Sequence, residues 1–128
     1  MRYKGRIVSK GEAEGEALVS KEPLSFFGSI DLETGKVIEK GHDLFGKNIA
    51  GKILVFPTGK GSTVGSYAIY RLKKKGKAPA GIINKETEAI IATGAIISGI
   101  PLIDKVEGLE IKTGDKVKIN CIEGWVEK

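Results

Sequence analysis

The sequence predicts an α/β fold with a mixed sheet, and three observations carry that reading. The continuous apolar run Ile53-Leu54-Val55-Phe56 suits a strand buried on both faces. The centre of the chain reads βαβα, which implies parallel strands joined by right-handed crossovers. Both ends carry short alternating runs, which suit an antiparallel or barrel-like portion. A chain of 128 residues is expected to form one domain over residues 1–128. It can bury roughly two-thirds of its unfolded surface without staples.

The elements follow in order. Arg6-Ile7-Val8 is a short strand, and Glu14 to Ser20 is a second, with Ala17, Leu18 and Val19 apolar. Pro23 to Gly28 reads as a loop with buried aromatic anchors. Asp31 to Gly35 is rich in turn residues, and Lys36-Val37-Ile38-Glu39 forms a short strand. Gly46 and Gly51 bracket the approach to the strand Lys52–Phe56. Beyond it, Val64, Tyr67, Ala68 and Leu72 fall at helical spacing. Ser62 or Thr63 is the expected N-cap, and Gly76 the C-terminal stop. Ala80 to Asn84 is a strand, Glu86 to Ile97 a second helix weakened by Gly94, and Ile100 to Ile103 a short strand. Asp115 to Ile122 alternates, with Val117, Ile119 and Cys121 on one face, and Trp125-Val126 returns beside it.

Composition narrows the function. Cys121 is the one cysteine, so no internal disulfide forms. One thiolate cannot hold an iron–sulfur cluster, which needs about three or four ligands; any cluster used must sit on another chain. The N-terminus has no apolar signal region and no run approaches the roughly 18 residues of a membrane span. The expectation is a soluble, cytoplasmic protein. The net charge is +5, much of it in Lys73, Lys74, Lys75 and Lys77. Such a cluster can bind nucleic acid, but aromatic residues do not interleave with it as stacking platforms would. A solvated helix end complementing the dipole is the favoured reading. The absence of glutamine and the abundance of Lys, Glu, Ile and Val match a bias reported for hyperthermophiles.

Chemistry concentrates in Phe56-Pro57-Thr58-Gly59-Lys60-Gly61-Ser62-Thr63-Val64-Gly65-Ser66. A strand, a glycine-rich turn and a helix start together aim backbone N–H groups at an anion. The turn adds two hydroxyls and the Lys60 cation. Gly-Ser-Thr is also simply a good way to begin a helix. A single cap does not need glycines at 59, 61 and 65, however, and the turn stands at the carboxyl end of a buried strand, where open α/β sheets place ligands. Two nucleotide motifs fail. Gly46 to Ile53 has P-loop spacing, but Ile53 replaces the hydroxyl and a strand follows instead of a helix. Gly59 to Gly65 has its third glycine one residue late for a dinucleotide fingerprint. His42, the lone histidine, is either structural or lines a site. Glu86 and Glu88 are expected to begin a helix, and Cys121 to be a small core hydrophobe.

This turn resembles that of the small, swivel-domain subunit of the aconitase X family. The resemblance extends to Leu24-Ser25-Phe26-Phe27-Gly28 with Asp31 and Gly35, to Gly41-His42-Asp43-Leu44 with Gly46, and to Ala78-Pro79-Ala80. The family often has Trp-Gly-Gly where this chain has Phe27-Gly28-Ser29, and Pro where it has Asp43. The resemblance implies a swivelling β/β/α domain like the last domain of aconitase. It implies a separate large subunit carrying a 4Fe–4S cluster, and no metal on this chain. In the archaeal two-subunit form the reaction is loss of water from (R)-5-phosphomevalonate to give trans-anhydromevalonate 5-phosphate, a step of isoprenoid synthesis. Carried onto this chain, Ser62 is the catalytic base, and Lys60, Gly61 and Thr63 bind substrate. Two alternatives stay open: a family hydro-lyase acting on a hydroxyproline-like substrate, and a non-catalytic basic binding module. The implied partners are the large subunit and a phosphorylated hydroxy acid, with no nucleic acid and no membrane.

Overall fold

The computed structural model describes residues 1–61 and 63–128. Eight strands form one mixed sheet: β1 (Arg2–Lys4), β2 (Arg6–Ser9), β3 (Glu12–Val19), β4 (Ile53–Phe56), β5 (Gly81–Asn84), β6 (Leu102–Asp104), β7 (Lys116–Asn120) and β8 (Trp125–Glu127). Their order is β1-β8-β7-β3-β4-β5-β6-β2. Strands β3, β4, β5 and β6 run parallel; the β1–β8–β7–β3 side and the β2–β6 edge are antiparallel. The mixed α/β fold read from the sequence is therefore present.

Strand β3 joins the two regimes. Its first residues, Glu12 to Glu16, pair antiparallel with β7, and its last, Ala17 to Val19, pair parallel with β4. The helices α2 (Gly65–Lys74) and α3 (Ala89–Ser98) make the crossovers between the central parallel strands. Side chains alternate across a strand, so β4 feeds two cores. Leu54 and Phe56 pack with α2 and α3 residues such as Ala68, Leu72 and Ile91. Ile53 joins the opposite core with Val117, Ile119 and Val126, against which Val55 packs. The same alternation places Ile82 and Leu102 on the helical side, and Ile83 and Ile103 on the other.

Several expectations need correction. β1 is an additional strand; Arg2-Tyr3-Lys4 has too little apolar pattern to announce itself and forms by pairing with β8. The stretch 36–39 makes only isolated bridges, Ile30 with Val37 and Lys36 with Asn48. Within the aromatic loop one irregular turn, α1 (Phe26–Ser29), buries Phe26 and leaves Phe27 exposed. Helix α2 buries Gly65, Ala68, Ile69 and Leu72, whereas Val64 and Tyr67 face outward. Its N-cap is Val64, neither of the hydroxyl residues proposed for that place. Helix α3 starts at Ala89, three residues later than expected. Its cap is Glu88, whose carboxylate accepts from the backbone N–H of Ile90 and Ile91 at 3.0 and 2.6 Å. Gly94 has a packing reason to stand in this helix. A Cβ there would stand 2.6 Å from Ile69 Cδ1 and 3.0 Å from Ser66 Cα, so the glycine lets α2 and α3 approach closely.

The β2 edge is held by a buried carboxylate. Arg6 Nε and Nη2 donate to the two oxygens of Asp104 at 2.9 and 2.8 Å, and the Thr87 N–H donates to it at 2.8 Å. The Asp104 side chain is fully buried. Burial pushes its carboxyl up, but the bonds from Arg6 and Thr87 outweigh that and hold it below its ordinary 3.8. A depressed folded value stabilises the fold above the unfolded value, and that contribution is lost as pH falls through the folded one. The melting-temperature gap between wild type and Asp104→Asn is accordingly expected to be constant from pH 7 to about 5. It should close below about pH 4. A gap that does not change with pH would exclude this linkage.

Candidate active site

The turn after β4 is clamped on both sides. The Pro57 carbonyl accepts from the N–H of Lys85 and Glu86 at 3.0 and 3.2 Å, tying it to the end of β5. The next residues run beside the Pro23–Ser25 loop. Leu24 N–H donates to Thr58 O, and Lys60 N–H donates to Leu24 O, both at 3.1 Å. Gly59 touches the start of α3 so closely that a Cβ would lie 2.5 Å from Ile91 Cγ1 and 2.6 Å from Glu88 Oε1. Gly61 has φ +90°, a left-handed conformation that favours glycine; a Cβ there would also lie 3.2 Å from Ser25 Oγ. The Ser25 hydroxyl is held by donating to Phe27 O at 2.7 Å. Two of the three glycines are thus required by geometry, which a plain helix cap would not demand.

Lys60 Nζ pairs with Glu39 Oε2 at 3.0 Å, and the other Glu39 oxygen accepts from Ser29 Oγ. The Ser29 hydroxyl first, and then Lys60, hold the Glu39 carboxyl below its usual range. The cation of the turn is therefore half exposed and matched to one carboxylate. Thr63 is exposed in the turn leading into α2. Ser62, the expected base, lies outside the described residues.

His42 has a positioning role. It is buried, with Nδ1 3.1 Å from both the Leu44 backbone nitrogen and Asp43 Oδ1, and Nε2 3.1 Å from Pro23 O. It steadies the loop that carries Leu24 and Ser25. Asp43 accepts from Ser20 Oγ at 2.7 Å and Lys21 N–H at 2.9 Å, which accounts for an acid where the family often has proline. Glu22, His42 and Asp43 lie close enough to share an ion, but these internal hydrogen bonds, and one from Asp43 N–H to Glu22 Oε2, engage their donor atoms. Cys121 is fully buried, and burial pushes its thiol up to about 11. It is the small core hydrophobe expected, and it does not fit an iron–sulfur site. The lysines at the end of α2 are partly paired, with Arg71 and Lys75 both bound to Glu33.

The model of the aconitase X swivel domain matches residues 2–128. The chain belongs to the aconitase X swivel-domain family. The phosphomevalonate dehydratase small subunit of Methanosarcina acetivorans is 57% identical over 99% of this chain and 90% of its own length. That of Thermococcus gammatolerans is 58% identical over 99% of this chain and 97% of its own length. The crystal structure of Thermococcus kodakaraensis aconitase X in its holo form superposes with a TM-score of 0.95. It is 57% identical and covers 99% of this chain and 97% of that one. The swivel domain and its turn were legible from the sequence. Glu39 and Glu88, which flank the turn, were not: they stand 21 and 28 residues from Lys60, and no local pattern links them to it. No helix among the described residues is long and apolar enough to cross a membrane.

Proposed function

We propose that this chain is the small subunit of a heterodimeric hydro-lyase that removes water from (R)-5-phosphomevalonate to give trans-anhydromevalonate 5-phosphate. Ser62 takes the proton beside the substrate carboxylate, and Gly61, Thr63 and Lys60 bind around it. The observation that carries this reading is the doubly clamped turn after β4 in a chain 57–58% identical to phosphomevalonate dehydratase small subunits.

The chemistry required of this chain is modest. A serine is a weak base unless its alkoxide is stabilised by N–H groups, a helix N-terminus or a cation. Ser62 lies between Gly61 and Thr63, three residues ahead of α2. The ten-residue α2 supplies positive potential at its N-terminus. Lys60 is nearby in sequence, and a substrate anion can compete with Glu39 for it. We assign the 4Fe–4S cluster to the large subunit, because the buried Cys121 does not suit one here. Departure of the hydroxyl is assigned to that subunit too.

The test is reconstitution. Neither subunit alone, and only the pair, should convert (R)-5-phosphomevalonate in an assay for the anhydro product. A hydroxyproline-type acid run side by side should not react. Turnover of that acid in place of phosphomevalonate would overturn the substrate assignment.

A further inference from the structure

Across β4 from the turn lies a cavity of about 530 Å³, at the carboxyl ends of β4 and β5. Its size is that of a small-molecule site, and the ends of parallel strands are where such sites form. It lies on the side of the sheet away from α2 and α3. Val55, Ile83, Val106, Leu109 and Ile111 give it apolar walls. Asn84 lines it too and is buried. Alternation along β5 turns its side chain to the helical side, where Nδ2 donates to Phe56 O at 3.0 Å, so only its backbone end faces the cleft. Lys85, Lys105 and Lys112 stand at the lining, outnumbering the one carboxylate there, Glu110.

Lys105 adds an independent sign. Among the described residues it is the one non-glycine with positive φ, +53°. Its N–H donates to Lys85 O at 3.1 Å, holding two of the three lysines together. Left-handed backbone at a non-glycine residue is disfavoured and clusters at ligand sites. Here it sets a cation at the mouth of an apolar cleft.

We infer that this cleft binds a small amphiphilic anion with an aliphatic chain, its volume being that of a small-molecule site. The chain carries a phosphate or carboxylate head. The head meets the lysines and the chain lies on the apolar walls. This inference is independent of the role given to Ser62.

Hexyl phosphate is the probe, titrated into the full-length chain by calorimetry with backbone amide NMR. It is expected to bind at least ten-fold more tightly than inorganic phosphate or hexanol, because both the chain and the head contribute. Shifts should centre on Asn84, Lys85, Lys105 and Val106. Hexanoate separates carboxylate from phosphate recognition. Lys105→Gly relieves the backbone and should melt no lower than wild type, yet weaken hexyl phosphate several-fold and leave hexanol unchanged. Lys112→Glu should act in the same direction. Equal binding of hexyl phosphate and inorganic phosphate, shifts elsewhere, or loss of probe binding when the large subunit assembles would overturn the assignment.

Discussion

In the reconstituted heterodimer, Ser62→Ala is expected to lower kcat by about 10³, the range for removing a positioned proton-transfer group. KM should change little, since the hydroxyl contributes chiefly to the transition state rather than to substrate binding. The turn that carries it is fixed by other contacts. Leu24 holds Thr58 and Lys60 by backbone bonds, and Gly59 and Gly61 are seated against α3 and Ser25. Trimming one oxygen leaves those contacts in place, so subunit association by size exclusion should be unchanged. Exchange of the substrate's carbon-bound proton with deuterated solvent should fall in step with kcat. A variant that dehydrates at near wild-type rate would remove Ser62 from the reaction while leaving family membership intact. One that fails to assemble would point to an interface role instead.

The legibility of this chain depends on whether the cause of a feature is local. The parallel core was legible because Ile53 to Phe56 is apolar at every position, as burial on both faces demands. The β7–β8 hairpin was legible because Val117, Ile119 and Cys121 alternate. Failures arose where partners far away in sequence decide. Strand β1 exists because β8 is 121 to 125 residues away in sequence yet adjacent in space. The face of α2 was legible only in part: Ala68 and Leu72 are buried as expected, but Val64 and Tyr67 fit the helical period and point outward, and Ile69 is the residue that meets α3. Gly94 looked like a weak point until its neighbour on the other helix was known. In the site, the motif announced the turn itself, but not Glu39 or Glu88 on either side of it. His42 was open between two roles until its ring bonds to Pro23 and Leu44 decided for positioning.

The packing beneath the turn carries the largest stability effect. Phe56 closes β4, is 1% exposed, and meets Phe26 edge-on with ring centroids 6.1 Å apart. Phe26 belongs to the loop whose Leu24 and Ser25 hold the turn, so one aromatic pair fastens both the strand and the clamp. Phe56→Ala is expected to cost about 3–5 kcal/mol, the range for emptying a buried phenylalanine site. At about 4 °C per kcal/mol for a domain of this size, that lowers the melting temperature by roughly 12–20 °C. Phe56→Leu should cost under about 1.5 kcal/mol, because the volume is largely kept. The Asn84 side chain donates to the Phe56 carbonyl and would persist in both variants, since it bonds the backbone. The functional consequence separates the two variants. Assayed well below its melting point, Phe56→Ala should still lose activity, because Phe26 loses its partner and the Leu24 contacts to Thr58 and Lys60 loosen. Phe56→Leu should keep most of it. If Phe56→Ala melts as expected but keeps full kcat, the turn is held by its backbone bonds alone, and the aromatic pair belongs to stability rather than to the site.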